Sequence, residues 1–472
     1  MTAARRITRR VRSVRNVLRR EAHELLQAGP PSVQLLRPLG PQVPDDAHVQ
    51  QVLDLCMRVG EVLLSAGESA DETTETMLRM AAACGLSTVD VDITFTSITI
   101  CCHRGMAAAP VTSMRLVRYR SLDLTRLAEV AAIVERVERA ELDAQQAAVV
   151  LTDAVSAPHP YPRWVATVGW ASLAASIALL LGAAPITALA AFVVTALIDR
   201  IGRLLNRWGL PPFFQQVVGG VVATGSTLAL FAAGVFPPGT QPSLVVAASI
   251  TVLLSGLSVV GSVQDAISSY FVTSAGRAAE ILLLSAGLLT GVVLGLKIGL
   301  AFGITLEVAG PLSAGSGRFS VAVLAAAAGA AAFSLAGYAR PRPLLAAGIA
   351  GAAGWGTYGA LTQLTAIGPV AATGIAAIVV GIATGLLRRG GRVAPLVVTL
   401  AGITPLLPGL TAYRGFYQLA VEGLAEGLVT VTLALAIGLA LAAGVTLGDF
   451  IARPARPNRS VVASTANEQP RQ

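Results

Sequence analysis

One stretch of the C-terminal half combines helix-breaking residues with ionisable side chains. Gly256 and Gly261 interrupt an apolar segment, and Asp265, Arg277 and Glu280 follow them. An ionisable group at membrane depth is costly and marks function, and opened helical backbone is tolerated there where it lines a cavity. We expect Arg277 or a helix N-terminus to hold a substrate carboxylate. We expect Asp265 or Glu280 to carry a proton, because burial raises the pKa of a carboxyl group toward neutrality.

A second stretch repeats this design about 150 residues later. Pro405, Pro408 and Gly409 interrupt the apolar segment, and proline leaves helical carbonyls without their usual partner. The alternative reading makes both breaks simple kinks and puts the charges in wet loops at the membrane interface. The candidate transport-site residues are Ser258, Gly261, Ser262, Asp265, Arg277, Glu280, Pro408, Gly409, Tyr413, Glu422 and Glu426.

The two stretches belong to a duplicated unit. The correspondences are Gly202 with Gly359, Pro212 with Pro369, Gly261 with Gly409, and Ala279-Glu280 with Ala425-Glu426. Five apolar segments separate equivalent points, and an odd number places the second copy upside down in the membrane. Inverted copies are typical of secondary transporters, which bind substrate near the midplane where the copies meet.

Composition separates a polar front from a membrane half. The chain has 472 residues, of which 13% are charged, against about 25% in ordinary soluble domains. Charged residues are dense before residue 163 and sparse over 164–450. Ten spans of about 20 apolar residues are expected near 164–184, 185–198, 213–236, 243–263, 279–301, 319–338, 343–361, 367–387, 393–410 and 427–448. The predicted fold is therefore mainly α, with two inverted five-helix repeats at 156–310 and 311–450 and a disordered tail at 451–472.

Charge distribution sets the predicted orientation. Arginines concentrate in alternate loops and in the C-terminal tail, which the positive-inside rule assigns to the cytoplasm together with both termini. The net charge of +8 lies mostly there and in the N-terminal arm, and aromatic residues that would stack on bases are few. The sequence thus argues for a lipid bilayer and against nucleic acid as a partner. It leaves the oligomeric state open, a homo-oligomer included.

The front of the chain divides into two parts. Residues 1–44 form a basic amphipathic arm, lying on the inner leaflet or solvated, and a proline-rich linker. Residues 45–155 predict a cytoplasmic α+β domain with two helices, a strand from Val89 with a bulge at Ser97, a strand near 111–119 and one helix over about 123–148. That domain lies directly before the first span and is a candidate gate for the inner mouth.

The front domain also offers a weak case for an enzyme. Asp90 and Asp92 share a strand face as paired catalytic carboxylates would, and His103 has no visible nucleophile or metal partner. A solvated strand face explains the same residues. The four cysteines lack metal-ligand spacing and are expected to be reduced thiols. Without a hydrolase, zincin or phosphate-loop motif, we expect no catalytic residue, metal or cofactor.

The order of these motifs resembles the bacterial threonine/serine exporter family. It consists of Arg58-Val-Gly-Glu-Val-Leu-Leu-Ser-Ala-Gly67, Cys84-Gly85-Leu86, Thr94-Phe95-Thr96, Asp265 with Arg277-Ala-Ala-Glu280, and Pro408-Gly409. The resemblance covers roughly residues 47–450. One departure is Val260-Gly261, where the first copy would be expected to carry a proline-glycine pair.

The resemblance implies a transporter and not an enzyme: a multi-pass protein of the bacterial inner membrane that exports L-threonine and L-serine by proton antiport with alternating access. The residues alone indicate only a small polar solute. Three alternatives stay open at this point: a succinate-type dicarboxylate exporter, a membrane-anchored sensor or hydrolase acting through the front domain, and a passive channel.

Overall fold

The computed structural model describes residues 45–104, 108–117, 122–254, 256–304, 319–365, 367–389, 395–421 and 424–452. The predicted arm at 1–44 and all but the first two residues of the predicted tail lie outside these ranges. Within them the chain forms an N-terminal α+β part followed by a helical part.

The N-terminal part combines four helices with a three-stranded antiparallel sheet of order β1-β2-β3, and the first two helices contact the sheet. Its elements are α1 (Asp46–Ala66), α2 (Ala70–Ala83), β1 (Val89–Thr94), β2 (Ser97–Cys102), β3 (Val111–Leu116), α3 (Leu124–Glu138) and α4 (Ala144–Ser156). The apolar stripe of α1 is buried against Ile98 and Ile100 of the sheet. This arrangement explains the helical spacing of apolar residues in α1.

Two predictions about this part are wrong. The expected bulge at Ser97 is a tight turn between two strands, in which Phe95 has a φ of 50°. The change of apolar phase therefore marks a reversal of the chain. The single helix expected over 123–148 is two helices, because Ala140 has a φ of 58° and Asp143 starts α4 with a capping box.

The helical part contains two series of helices in the same order. The first is α5 (Arg163–Leu180), α6 (Pro185–Arg207), α7 (Pro212–Ala232), α8 (Ser243–Leu253), α9 (Gly256–Ile267) and α10 (Phe271–Ala301). The second is α11 (Phe319–Ala336), α12 (Pro341–Leu364), α13 (Pro369–Arg389), α14 (Pro395–Ile403) with a 3-10 turn (Thr404–Leu406), α15 (Gly409–Val421) and α16 (Leu424–Ala452).

Seven of the described helices are long and apolar enough to cross a membrane, and eight if the bent pair α8–α9 counts as one span. The chain is thus a mainly helical, multi-pass membrane protein. Two helix boundaries differ from the apolar segments. Helix α6 continues through a charged end to Arg207, and α10 begins at Phe271, so that the loop expected over 264–278 is mostly helical.

Equivalent helices make equivalent contacts in the two series. In the first series α7 packs along α10, in the second α13 packs along α16, and α5 contacts α11 across the boundary. Small residues allow the backbones to touch: a Cβ on Gly220 would lie 2.5 Å from the carbonyl oxygen of Leu288, and one on Gly381 would lie 2.6 Å from that of Val445. Four glycines of α10 also lie against α7 and serve close helix packing: Gly287, Gly291, Gly295 and Gly299.

The N-terminal part docks on one end of this bundle. The backbone amide of Leu124 donates to the carbonyl of Gly337 at 2.8 Å, and Thr125 Oγ1 donates to the carbonyl of Tyr338 at 2.6 Å. Glu129 pairs with Arg340 at 2.7 Å. The N-terminal part is therefore fixed to the turn between α11 and α12, and this positions its α1–α2 turn over the broken helices.

Candidate functional site

The two broken helices meet at one cavity. Helices α8 and α9 are bent by 46°, and the second break follows the 3-10 turn at Leu406. The cavity has a volume of about 270 Å³. Its lining includes Thr251, Leu254 and Ser258 from the first break and Thr404, Leu407 and Gly409 from the second. Backbone opened at the breaks thus lines a cavity, as the sequence predicts.

Side chains around the breaks satisfy part of the opened backbone. Gln216 Nε2 of α7 donates to the carbonyl of Leu253, the last residue of α8, at 3.3 Å. Thr251 Oγ1 donates to the carbonyl of Ala247 at 2.7 Å, a bond within α8 just before the break. A Cβ on Gly409 would lie 3.2 Å from the Thr251 side chain, so glycine lets α15 start directly against α8.

We call this space the central cavity, and the charged residue among its described lining is Arg277 of α10. Its side chain is 2% exposed, and Nη1 lies 3.2 Å from Oδ2 of Asp265, which is 0% exposed. A Cβ on Gly261 would lie 2.7 Å from Nη1, so glycine makes room for the guanidinium group. Leaving either partner of such a pair alone in the interior is costly, so the two charges stabilise each other.

The ion pair also holds the N-terminal part. Asp265 Oδ1 accepts a hydrogen bond from the backbone amide of Ala70 at 2.7 Å. Arg277 Nη2 donates to the carbonyl of Glu68. Ala70 is the first residue of α2, and a carboxylate is favourable at the positive end of a helix. The pair therefore clamps the α1–α2 turn against α9 and α10.

This turn forms one end of the central cavity. Gly67 ends α1 with a φ of 96° in the left-handed region, where a side chain would be strained. Ser65, Ala66 and Gly67 line the cavity from the N-terminal side. A second contact fixes the same edge: Thr273 Oγ1 donates to the carbonyl of Ile93 at 2.9 Å and accepts from the amide of Phe95 at 3.0 Å.

Glu68 lies within the clamped turn and is 7% exposed. Burial raises the pKa of its carboxyl group to about 8, and the negative charges of Glu72 and Asp265 act in the same direction, whereas Arg277 opposes them. A carboxyl group beside the clamp is thus able to exchange a proton near neutral pH.

The structure brings together only part of the predicted set. Asp265, Arg277 and Gly261 form the clamp, and Ser258 and Gly409 line the cavity. The remaining described residues lie as follows: Ser262 donates to the carbonyl of Ser274 at 2.9 Å, Pro408 is buried directly before α15, Glu280 is half-buried on α10, and Glu426 is exposed on α16. The side chain of Tyr413 and the whole of Glu422 lie outside the described residues.

Sequence reasoning missed Glu68, the amide of Ala70 and the cavity residue Trp170. Glu68 directly follows the Gly67 that ends the first family motif, and that was its only signal in the sequence. The amide carries no sequence signal, because any residue at that position would supply it. Trp170 packs edge-on against Phe333 with ring centroids 5.9 Å apart.

The exposed sheet face holds a cluster that the sequence reading also missed. His103 Nε2 lies 3.0 Å from Asp90 Oδ2 and 3.9 Å from Cys101 Sγ, because the hairpin register sets Asp90 opposite Cys101. A hydrolytic relay needs one ring nitrogen for the nucleophile and the other for the carboxylate. Here a single nitrogen contacts both groups, which does not make a triad. Within the described chain no group of three or more potential ligands is arranged for a metal ion.

Broken apolar helices around a cavity with one buried cation define the class of a membrane transporter and not of an enzyme. Two family profiles match in succession: "Putative threonine/serine exporter" over residues 54–299 and "Threonine/Serine exporter, ThrE" over residues 322–451. The chain belongs to the threonine/serine exporter family. The first matched segment ends within α10, the second begins within α11, and residues 300–321 lie between them.

Two relatives are similar over most of the chain. A "Probable threonine/serine exporter" of Mycobacterium tuberculosis is 39% identical over 426 residues, which are 87% of this chain and 78% of the relative. A "Threonine/serine exporter" of Corynebacterium glutamicum is 35% identical over 449 residues, 93% of this chain and 90% of the relative. No solved structure matches the chain.

Proposed function

We propose that the protein exports L-threonine and L-serine across the bacterial inner membrane by proton antiport with alternating access. Relatives that carry the threonine/serine exporter name cover most of the chain. The single structural observation that carries the proposal is the meeting of the two broken helices at a cavity that contains Arg277. The family and the cavity together support a carrier of a small amino acid.

The chemistry of the cavity suits a zwitterion. The C-terminal ends of α8 and of the 3-10 turn present carbonyl groups, which attract a cation, and the N-terminal ends of α9 and α15 present the opposite polarity. Arg277 adds a donor for a carboxylate. Among the described lining residues of this cavity Arg277 is the one with a positive charge. This observation favours an amino acid over a dicarboxylate, which would call for a second cation.

The transport cycle that we propose uses two inverted five-helix repeats, at 156–310 and 311–450, with ten spans in all. The equivalent contacts of α7 with α10 and of α13 with α16 support the repeat, and the breaks at matching positions support a shared site. Length and composition identify eight spans when the bent pair α8–α9 counts as one. The other two proposed spans are the charged helix α6 and the broken pair α14–α15. The family's substrate class requires no cofactor or metal in this cycle.

The orientation is part of the proposal. Both termini and the domain at 45–155 face the cytoplasm, and the α1–α2 turn closes the cytoplasmic end of the cavity. The clamp of Asp265 and Arg277 supports this assignment, because it joins the turn to α9 and α10. The protein acts as a monomer or a homo-oligomer.

Glu280 and Asp265 are the proposed proton carriers, and Tyr413, Glu422 and Glu426 are the second-copy candidates for the transport site. Asp265 accepts from the Ala70 amide, whereas Glu280 lies one turn along α10 from Arg277. The proton would therefore bind to Glu280 without first opening the clamp.

The experiment is transport by the purified protein in proteoliposomes with an imposed pH gradient. Labelled threonine should move uphill against its own gradient in the direction opposite to protons, and succinate should not. Glu280→Gln should remove the pH dependence, whereas Glu141→Gln, at an exposed carboxylate of the N-terminal part, should retain it. Downhill movement alone would indicate a channel, and full pH dependence in Glu280→Gln would remove Glu280 from the proton path.

The hydrolase alternative has its own test. A hydrolase would use the cluster of Cys101 and His103, so a hydrolytic role predicts that His103→Ala abolishes hydrolysis. Threonine transport is measured in the same vesicles. We expect His103→Ala to export threonine at the wild-type rate, because the cluster lies on an exposed face of the sheet.

A further inference from the structure

A second cavity lies beside the central one, on the far side of the clamped turn. It has a volume of about 270 Å³ and is bounded by α2, α9 and α16. Gly67 lines both cavities, so the α1–α2 turn is the wall between them. We call this second space the antechamber. Its lining carries five carboxylates: Glu68, Asp71, Glu72, Glu75 and Asp449.

The antechamber has a one-sided charge. No lysine, arginine or histidine occurs among its lining residues in the part of the chain that the structure describes. Asp71 accepts a hydrogen bond from Ser268 of the α9–α10 connection at 3.1 Å. The acidic wall comes from the N-terminal part, and Asp449 faces it from the second series of helices.

A second observation concerns the burial of one of these carboxylates. Glu68 is 7% exposed, yet within the described chain no hydrogen bond reaches its carboxylate. A buried acceptor without a donor is costly. The carboxylate lines the antechamber, so a bound cationic donor would supply the missing hydrogen bonds.

We propose that the antechamber binds the α-ammonium group of the amino acid on the cytoplasmic side, before the substrate passes the α1–α2 turn into the central cavity. This rests on the proposed function. A cleft of one charge concentrates ligands of the opposite charge and raises the rate at which they bind. Threonine and serine carry an ammonium group, whereas a dicarboxylate would be repelled.

Proton exchange at Glu68 fits this role. Burial and the charges of Glu72 and Asp265 raise the pKa of Glu68. Asp71 and Glu75 share its wall of the antechamber, Asp449 lies on the opposite wall, and Arg277 lies behind the turn. An ammonium group beside the carboxylate favours its charged form. Arrival of substrate therefore releases a proton from the turn.

The test measures uptake of labelled threonine into inside-out membrane vesicles, in which the cytoplasmic face is outside. The variant is Glu72→Gln with Glu75→Gln, since both side chains are at least partly exposed and tolerate substitution. The KM for threonine should rise about three- to tenfold, with the maximal rate retained. The control Glu141→Gln, an exposed carboxylate outside both cavities, should keep the wild-type KM.

Two inhibitors identify the group that is bound. Threonine methyl ester keeps the ammonium group and lacks the carboxylate, and 3-hydroxybutyrate has the reverse. In the double variant, inhibition by the ester should weaken and inhibition by 3-hydroxybutyrate should not. Because salt screens exposed charges, the KM of the wild type should rise with salt more than the KM of the variant does. An unchanged KM in a variant that still transports threonine overturns the antechamber and leaves the exporter intact. Absence of threonine transport by the wild type overturns the exporter itself.

Discussion

The clamp makes a quantitative prediction about docking of the N-terminal part. Asp265→Asn preserves the shape of the side chain but removes the charge that faces Arg277 at 3.2 Å. Removing one partner of a buried ion pair costs about 3–5 kcal/mol, because the other charge stays buried. Release of the turn exposes Arg277 to water and recovers part of that energy. The variant should therefore open the turn about 10²- to 10³-fold more often than the wild type.

Opening is measured as the labelling rate of Ala66→Cys in a background without the native cysteines. Ala66 is 6% exposed and lines the central cavity, which leaves room for the thiol. A membrane-impermeant thiol reagent added to inside-out vesicles reaches this position when the turn leaves the bundle. Asp265→Asn should accelerate labelling by the factor above.

Two further variants provide the comparison. Asp199→Asn breaks the ion pair with Arg203, in which the Asp199 side chain is 18% exposed and the Arg203 side chain 30%. Ion pairs that water reaches contribute roughly 0–1 kcal/mol to stability. Its labelling should stay near the wild-type rate. Combining Asp265→Asn with Arg277→Gln removes the isolated charge and should slow labelling at least tenfold relative to the single variant. Wild-type labelling in Asp265→Asn would show that the ion pair does not hold the turn.

Three other predictions concern protonation, packing and the cavity. The folded pKa of about 8 for Glu68 exceeds the usual value of 4.5, so docking should weaken as pH rises between those values, and Glu68→Gln should flatten the labelling rate against pH. Gly291→Leu should lower the free energy of unfolding of the detergent-solubilised protein by about 3 kcal/mol or more in thermal unfolding, because a Cβ there would overlap a backbone carbonyl of α7. Gly225→Ala, with open space around the residue, should change it by less than about 1 kcal/mol. Ser258→Ala should raise the KM for threonine about three- to tenfold by removing a cavity hydroxyl, and Ser262→Ala, which lies against a carbonyl of α10, should not.

Sequence patterns predicted the parts of this structure that depend on local chemistry. The helix breaks at Gly256 and Pro408 follow from the backbone properties of glycine and proline, and both occur in the structure. Glycines recur at every fourth position of α10 from Gly287 to Gly299, a spacing that favours close packing, and Gly291 meets the backbone of α7.

Contacts between distant segments were beyond the same patterns. Asp265 lies 195 residues from Ala70, and the group that it binds is a backbone amide, which leaves no trace in the sequence. The register that sets Asp90 opposite Cys101 depends on a turn that the alternation of residues could not distinguish from a bulge. The predicted helix boundaries near Arg207 and Phe271 were wrong for a related reason, because both helices continue past their apolar segments. The extension that begins at Phe271 docks on the N-terminal part through Thr273.

The clamp makes the proposed cycle energetically asymmetric even though the repeats are similar. Opening toward the N-terminal part breaks the contacts of Asp265 with Ala70 and of Arg277 with Glu68. These contacts populate the state that is closed at that end, by a factor of ten for each 1.4 kcal/mol. They cannot give transport a direction, because a fixed contact shifts an equilibrium without supplying energy to it. In the proposed antiport the direction comes from the proton gradient, so the groups that exchange protons would act on the clamp, and Glu68 lies within the turn that the clamp holds.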